Sequence, residues 1–172
     1  MLFGAYLGVY WIIGAVFFPL GLANPLLFLL FIAFVIGGPF VGYYYVKTYR
    51  KQACGGYISF SHAWLFSMLM YVFAALLAAA AHYIYFRFID GGYIINTYTS
   101  LINDFFSQNT TAADMTPYKE QMEQALEQLS KFTPIDITMQ IFSNNIFWGI
   151  LLAIPTALFA MKKNNGANPI QS

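Results

Sequence analysis

Charged side chains are scarce in this sequence, and their scarcity excludes an ordinary soluble domain. Eight Lys or Arg and seven Asp or Glu residues make up 9% of the 172 residues, whereas 59% of the residues are hydrophobic. Soluble domains carry about 25% charged residues. So few charges could not cover the surface of a soluble fold of this size. Most of the surface must therefore face lipid rather than water.

Cysteine and net charge are also low, and each excludes a class of function. Cys54 is the only cysteine, so an intrachain disulfide is impossible. A lone loop cysteine is also too weak a signal to indicate acylation. The net charge of +1 leaves no basic surface for nucleic acid. We therefore predict a lipid bilayer as surroundings, no nucleic-acid partner, and no catalytic, cofactor-binding or metal-binding residues.

Long uncharged runs are abundant, and four of them are long enough to cross a membrane. A spanning helix needs about 20 mostly apolar residues. Asn24 and Pro25 form a turn signal between the first two runs. The sequence therefore predicts an all-α membrane protein, a single membrane domain over 1–172, with transmembrane helices at about 2–22, 25–46, 61–86 and 137–161.

A cleaved signal peptide is the competing interpretation of the first run. No basic residue precedes that run, and no small-x-small cleavage site follows it, so we reject this interpretation. The missing basic start is compatible with a natural start upstream of Met1.

The distribution of charge predicts the orientation in the membrane. The loop after the second run carries Lys47, Arg50 and Lys51, and the tail carries Lys162 and Lys163, with no acid in either. All seven acids lie between residues 87 and 136. Because cytoplasmic loops are enriched in Lys and Arg, we expect a multi-pass membrane protein with cytoplasmic N- and C-termini.

The segment at about 91–133 then lies outside the cytoplasm. Apolar residues recur there at spacings of three and four, which predicts an amphipathic helical hairpin between transmembrane helices three and four. Glu127 and Lys131 are spaced for an ion pair on the second helix. The apolar stripes either pack on each other and on the bundle, or dock a partner. A third possibility is that they lie in the outer-leaflet interface, but the acidic polar faces favour packing or a protein partner over lipid.

Two histidines and one carboxylate are the candidates for acid–base chemistry. His82 precedes Arg87 and Asp90 near the end of the third span. However, Arg87 and Asp90 have the spacing of an ordinary ion pair at a helix end. His62 lies at the start of the same span, where Ser59 or Ser61 is expected to cap the helix.

Polar and small residues within the spans indicate helix packing. Gln140, Ser143, Asn144 and Asn145 either line a polar vestibule or mark the outer interface and hydrogen-bond to neighbouring helices. Small residues four apart allow close helix approach. They occur at Gly4 and Gly8, at Gly38 and Gly42, at Gly149 and Ala153, and at Ala74, Ala75, Ala78 and Ala79.

Several local sequence features follow one another along the chain. They are Tyr49-Arg50-Lys51, Gly55-Gly56-Tyr57-Ile58-Ser59-Phe60 with Ala63 and Trp64, Tyr83-Ile84-Tyr85-Phe86-Arg87-Phe88-Ile89-Asp90, a Gln/Glu-rich external helix, and a closing span with terminal lysines. Their order resembles a bacterial membrane-protein family catalogued as domain of unknown function 4199. The resemblance covers nearly the whole chain and departs from the family at the N-terminus, where the basic start is missing. It implies a location in the bacterial inner membrane and a four-helix layout, with no known activity.

The function that we predict is a non-enzymatic structural or accessory membrane bundle. It would act as a homo-oligomer or bind a membrane protein through the external hairpin. The alternative is a small transporter, passive pore or lipid-handling protein. Coupled transporters need a charged residue within the membrane, and the predicted spans contain none. Inverted repeats are a second feature of transporters, and the two halves of this sequence do not match each other. An enzyme would need a cluster of His, Asp, Glu or Cys residues, and the sequence has few such residues that could lie together on one side of the membrane.

Overall fold

The fold is all-α. A computed structural model describes residues 1–108 and 116–163, and the glycosylation-like sequence Asn109-Thr110-Thr111 lies outside them. Four of the helices are long and apolar enough to cross a membrane, namely α1, α2, α3 and α6, which confirms this part of the prediction. The helices of the described residues are α1 (Leu2–Ala23), α2 (Pro25–Ala53), α3 (Phe60–Phe88), α4 (Tyr93–Gln108), α5 (Thr116–Ser130) and α6 (Pro134–Ala160).

Side-chain caps fix where the spanning helices begin. The Asn24 side chain accepts a hydrogen bond from the Leu26 amide at 3.0 Å, with Pro25 in the first helical position. Ser59 accepts from the His62 amide at the start of α3. Thr133 and Asp136 form a reciprocal capping box at the start of α6. Each cap satisfies amides that have no partner inside their helix.

Helix α2 is longer than the apolar run that predicted it. It continues beyond Val46 through the basic residues and ends at Ala53. Lys and Arg are good helix formers, and their charges interact favourably with the C-terminal end of a helix. The last turns of α2 therefore carry Lys47, Arg50 and Lys51 as a continuation of the helix rather than as a loop.

The four long helices pack as a closed bundle. Helix α1 contacts α2 and α3, and α6 contacts α3 and α2. Helix α1 reverses into α2 at Asn24, and α1 runs parallel to α3, since Gly4 lies against Met70 and Gly8 lies against Leu77. This order places the start of α1, the end of α2, the start of α3 and the end of α6 at one end of the bundle.

The Tyr71 side chain on α3 fills the centre of the bundle and is only 1% exposed. Its ring stacks on Trp11 of α1 with centroids 6.1 Å apart. Its hydroxyl lies 3.4 Å from the Thr156 hydroxyl of α6, within hydrogen-bonding distance. It also abuts the backbones of α2 and α6 at Gly42 and Gly149. One aromatic side chain therefore contacts all three other spanning helices.

Small residues allow these close contacts, as the sequence predicted. A Cβ atom added at Gly4 would lie 2.9 Å from the Met70 carbonyl oxygen of α3. One added at Gly149 would lie 2.8 Å from the Tyr71 Cβ. Ala74 and Ala78 are fully buried on the same face of α3. Lipid tails are as apolar as the helix surfaces, so close van der Waals packing of this kind is what holds membrane helices together.

We expect Gly149→Ala to destabilise the bundle, because the new methyl group would meet the Cβ of Tyr71 rather than a flexible side-chain end. Overpacking of this kind costs about 1–3 kcal/mol. The matched control is Gly38→Ala, where the nearest atom to the added Cβ is the Trp11 Nε1 at 3.5 Å, an ordinary contact. Thermal unfolding in detergent should show a lower midpoint for the first variant only. Equal midpoints would contradict the central role of the Tyr71 contact.

Candidate functional site

The groups able to do chemistry lie mainly at the two ends of the bundle. One end, here called the basic end, carries Lys47, Arg50, Lys51, Lys162 and Lys163. The other, here called the acidic end, holds the end of α3, helices α4 and α5, and the start of α6. The six acidic residues that the structure describes belong to it, namely Asp90, Asp104, Glu120, Glu123, Glu127 and Asp136.

His82 is partly buried on α3, and its contacts are with its own helix. Its Nδ1 donates a hydrogen bond to the Ala78 carbonyl one turn earlier, at 2.6 Å. The His82 ring also stacks near the Phe86 ring, with the two centroids 6.3 Å apart. These contacts tie the imidazole to its own helix. The prediction that His82 is not a catalytic residue remains a prediction.

Asp90 has a structural role that differs from the predicted ion pair. Its carboxylate accepts hydrogen bonds from the Gly92 amide at 3.0 Å and from the Ile94 amide at 3.3 Å, so it caps the start of α4. Among the described residues Arg87 forms no ion pair, and its guanidinium lies 6.0 Å from the centre of the Phe88 ring. The predicted Arg87–Asp90 pair is therefore wrong, because free amides at a helix start compete for the carboxylate.

His62 lies at the basic end, where Ser59 rather than Ser61 caps α3. The His62 Nε2 is 3.2 Å from the Tyr49 hydroxyl of α2. The Tyr49 ring also stacks on Phe66 of α3 with centroids 3.8 Å apart. These contacts join the end of α2 to the first turns of α3.

A pair of contacts that the sequence did not suggest holds the basic end together. The Arg50 Nη1 donates to the Ala160 carbonyl at 2.6 Å, which satisfies one of the last carbonyl groups of α6. Ile58 and Lys162 form an isolated antiparallel bridge with N–O distances of 3.1 and 3.0 Å. The run of basic residues in α2 was the available signal, but it indicates topology and not a particular acceptor.

A shallow pocket of about 440 Å³ opens beside this bridge. It combines hydrogen-bond donors with two ammonium groups and contains no carboxylate. The Lys162 ammonium also lies 5.6 Å from the centre of the Tyr57 ring. The arrangement suits contact with anionic groups at a membrane surface. The pocket is lined by Tyr57, Ile58, Ser59, His62, Lys162 and Lys163.

No group of three or more His, Cys, Asp or Glu side chains within 1–108 and 116–163 is close enough to hold a metal ion. The predicted absence of metal and cofactor sites stays a prediction.

Helix α4 is attached to the acidic end of the bundle on one side only. Ile102 is 7% exposed and is the buried residue of its apolar stripe. Helix α4 contacts α1 and α5. Leu101 and Phe105, on the same stripe, remain largely exposed. The stripe is therefore only partly used for packing.

Helix α5 leaves its apolar stripe almost uncovered. Tyr118 is 62% exposed, Met122 is 46% exposed and Leu129 is 44% exposed, while Leu126 is half-buried. The substantial helix contact of α5 within the described residues is with α4. The predicted ion pair between Glu127 and Lys131 is confirmed at 2.9 Å. These three residues, Tyr118, Met122 and Leu129, are called the exposed stripe of α5 below.

The polar residues of α6 do not face the interior as a vestibule would require. Gln140, Ser143 and Asn144 are exposed and lie on the face opposite Thr138, Gly149, Ala153 and Thr156, which are buried. Asn145 is half-buried. Within the described part of the chain these four side chains form no hydrogen bond with a neighbouring helix. The expectation that they hydrogen-bond to neighbouring helices of the same chain is therefore also wrong. Gln140, Ser143 and Asn144 are called the α6 polar stripe below.

Comparison with known proteins identifies the family of this chain but gives no activity. A sequence profile described as "Protein of unknown function (DUF4199)" matches residues 2–162. No curated protein sequence and no solved structure matches the chain. The match covers all four long helices together with α4 and α5. The chain therefore belongs to the DUF4199 family of proteins of unknown function.

Proposed function

We propose that this protein is a non-enzymatic accessory bundle of the bacterial inner membrane that binds a partner protein through an extracytoplasmic hairpin of α4 and α5. Both termini lie in the cytoplasm in this proposal. The observation that carries it is the exposed stripe of α5, which the rest of the described chain leaves uncovered although the helix is amphipathic.

Charge segregation supports the orientation. The basic end carries five Lys or Arg residues, and none of them forms an ion pair with a carboxylate in the part of the chain that the structure describes. The cytoplasmic leaflet is anionic, and each basic residue near its surface contributes about 1 kcal/mol of attraction. The acidic end would be repelled by the same surface. Insertion with the basic end in the cytoplasm is thus the favourable arrangement.

The shape of the exposed surface supports a protein partner. Tyr118, Met122 and Leu129 project from one face of a helix, which is the arrangement of an amphipathic helix that docks in an apolar groove. Aromatic and Met side chains are enriched at the cores of protein interfaces. A stripe of this kind, at the outer end of a membrane protein, is accessible to a second protein in the membrane or beside it.

The charge of α5 defines the partner further. Glu120, Glu123 and Glu127 lie on its polar face, and Lys119 and Lys131 each pair with one of these acids at 3.6 and 2.9 Å. Glu120 has no ion-pair partner in the described part of the chain. The complementary surface is an apolar groove with basic side chains at its rim. Anionic lipid headgroups would be a poor match for this face.

The placement of charge supports a non-enzymatic role. The spanning parts of the chain carry no ionisable acid or base between Pro25 and Val46 or between Ile137 and Met161. Proton relays and coupled transport use such residues inside the membrane. The Lys, Arg, Asp and Glu residues of the sequence lie outside the four predicted spans instead.

The orientation predicts which residues a membrane-impermeant maleimide reaches in intact cells. In a Cys54→Ser background, Ser107→Cys at the end of α4 should react before permeabilisation of the inner membrane. Lys51→Cys at the end of α2 should react only afterwards. Both positions are exposed, so the comparison reports sidedness rather than burial. The reverse order of labelling would show that the basic end is outside.

The exposed stripe of α5 predicts a partner that depends on it. Tyr118→Ala combined with Met122→Ala should lower the yield of in-cell crosslinking to that partner by at least about tenfold, since each anchor residue contributes on the order of 1 kcal/mol or more. The matched control is Gln121→Ala with Gln124→Ala on the polar face, which should leave the yield unchanged. Quantitative mass spectrometry of crosslinked membranes provides the measurement.

Two results would contradict the partner proposal. One is equal recovery of every crosslinked protein from the two double variants. The other is recovery of the chain alone, with no second protein, from the unaltered protein.

A further inference from the structure

The α6 polar stripe is an unusual surface for a membrane helix. Gln140, Ser143 and Asn144 are spaced three and four residues apart, so they form one continuous strip. The same outward face continues through Phe147, Leu151, Ile154 and Leu158, which are exposed apolar residues of the kind that face lipid. Polar groups thus occupy one half of a face whose other half is apolar.

The stripe lies within the predicted fourth span, 137–161. Asn144 is eight residues after Asp136, which is about 12 Å along a helix axis. It is five residues from Gly149, which lies against the central Tyr71. Asp136, at the acidic end of the same face, already accepts a hydrogen bond from the Thr133 amide at 2.9 Å as part of its cap. Gln140, Ser143 and Asn144 have no such partners in the described chain.

An amide without a partner in hydrocarbon is costly. Transfer of such a group to an apolar medium without a compensating hydrogen bond is unfavourable by several kcal/mol in the least polar reference. The backbone N–H groups of the helix cannot donate to the side-chain carbonyl oxygens of Gln140 and Asn144, because the helix already uses them internally. Polar side chains of this type instead form hydrogen bonds between membrane helices. The stripe therefore needs a second helix against it.

We propose that the α6 polar stripe is the interface of a parallel homodimer within the membrane. Two copies inserted by the same rule share one orientation, so a two-fold axis between them lies along the membrane normal. Each residue of one α6 then meets the same residue of the partner at the same depth. Asn and Gln side chains both donate and accept hydrogen bonds, so each amide is complementary to its own copy.

Two features of the face fit a second copy. Ser143 is small and lies between the two amides, which lets the helices approach closely at that point. No charged residue occurs between Ile137 and Met161, so pairing two α6 helices brings no like charges together inside the bilayer. The dimer interface is separate from the exposed stripe of α5, which remains free for the proposed partner.

Disulfide crosslinking in native membranes tests the proposal, because Cys54 is the only native cysteine. In a Cys54→Ser background, Ser143→Cys should form a disulfide-linked dimer in most of the protein, since opposed helices bring these positions within the reach of a disulfide. The control is Leu76→Cys on α3, which is exposed and lies as far from Tyr71 as Asn144 lies from Gly149. It should give only background dimer.

A second variant measures the contribution of the amides. Gln140→Leu with Asn144→Leu places apolar side chains on a lipid-facing surface, so the fold is retained, and thermal unfolding of the monomer should be unchanged. The association constant in lipid vesicles, measured by energy transfer on dilution with lipid, should fall about 3- to 30-fold. Asn96→Leu on α4, an exposed amide outside the predicted spans, is the control.

Three outcomes would overturn the proposal. They are a Ser143→Cys dimer no more abundant than that of Leu76→Cys, an unchanged association constant for the double Leu variant, and crosslinking of Ser143→Cys to a different protein. The last would assign the α6 polar stripe to a hetero-oligomer.

Discussion

The contact of the Tyr71 ring with glycine backbones on both sides is the constraint on which the bundle depends. A side chain of that volume fits between α2 and α6 only because Gly42 and Gly149 carry no Cβ atoms. Since membrane helices gain little from apolar burial as such, the dispersion energy of this contact must come from close fit. The contact between Tyr71 and Gly149 fixes the rotation of α6 about its own axis. This rotation sets the direction in which every other α6 residue faces.

Electrostatics then distinguishes the two ends of an otherwise apolar object. At the basic end, the Arg50 guanidinium donates a hydrogen bond to the Ala160 carbonyl at the end of α6. At the acidic end, the Asp90 and Asp136 carboxylates form helix caps. The other described carboxylates of that end lie mainly on α5, so the exposed surface of this helix is both apolar and acidic.

The sequence predicted the parts of the fold that depend on local composition. Uncharged runs are sufficient to find α1, α2, α3 and α6, and small-residue spacing identified Gly4 and Gly149 as packing sites. The failures concern direction in space. The destination of the Asp90 carboxylate depended on the amides that α4 presents, and the outward position of Asn144 depended on the rotation of α6 that Tyr71 imposes. Neither can be predicted from the spacing of residues along one helix.

The bridge between Ile58 and Lys162 bears on the order of assembly. The two bridged residues lie in segments far apart in the chain, one before α3 and one after α6. In a membrane, helices form individually before they pack, and closing a loop of this length is slow relative to local contacts. The bridge can therefore form only after α6 has been synthesised, inserted and packed on α3. It is therefore the last of these contacts to form, and it holds the completed bundle together at its basic end.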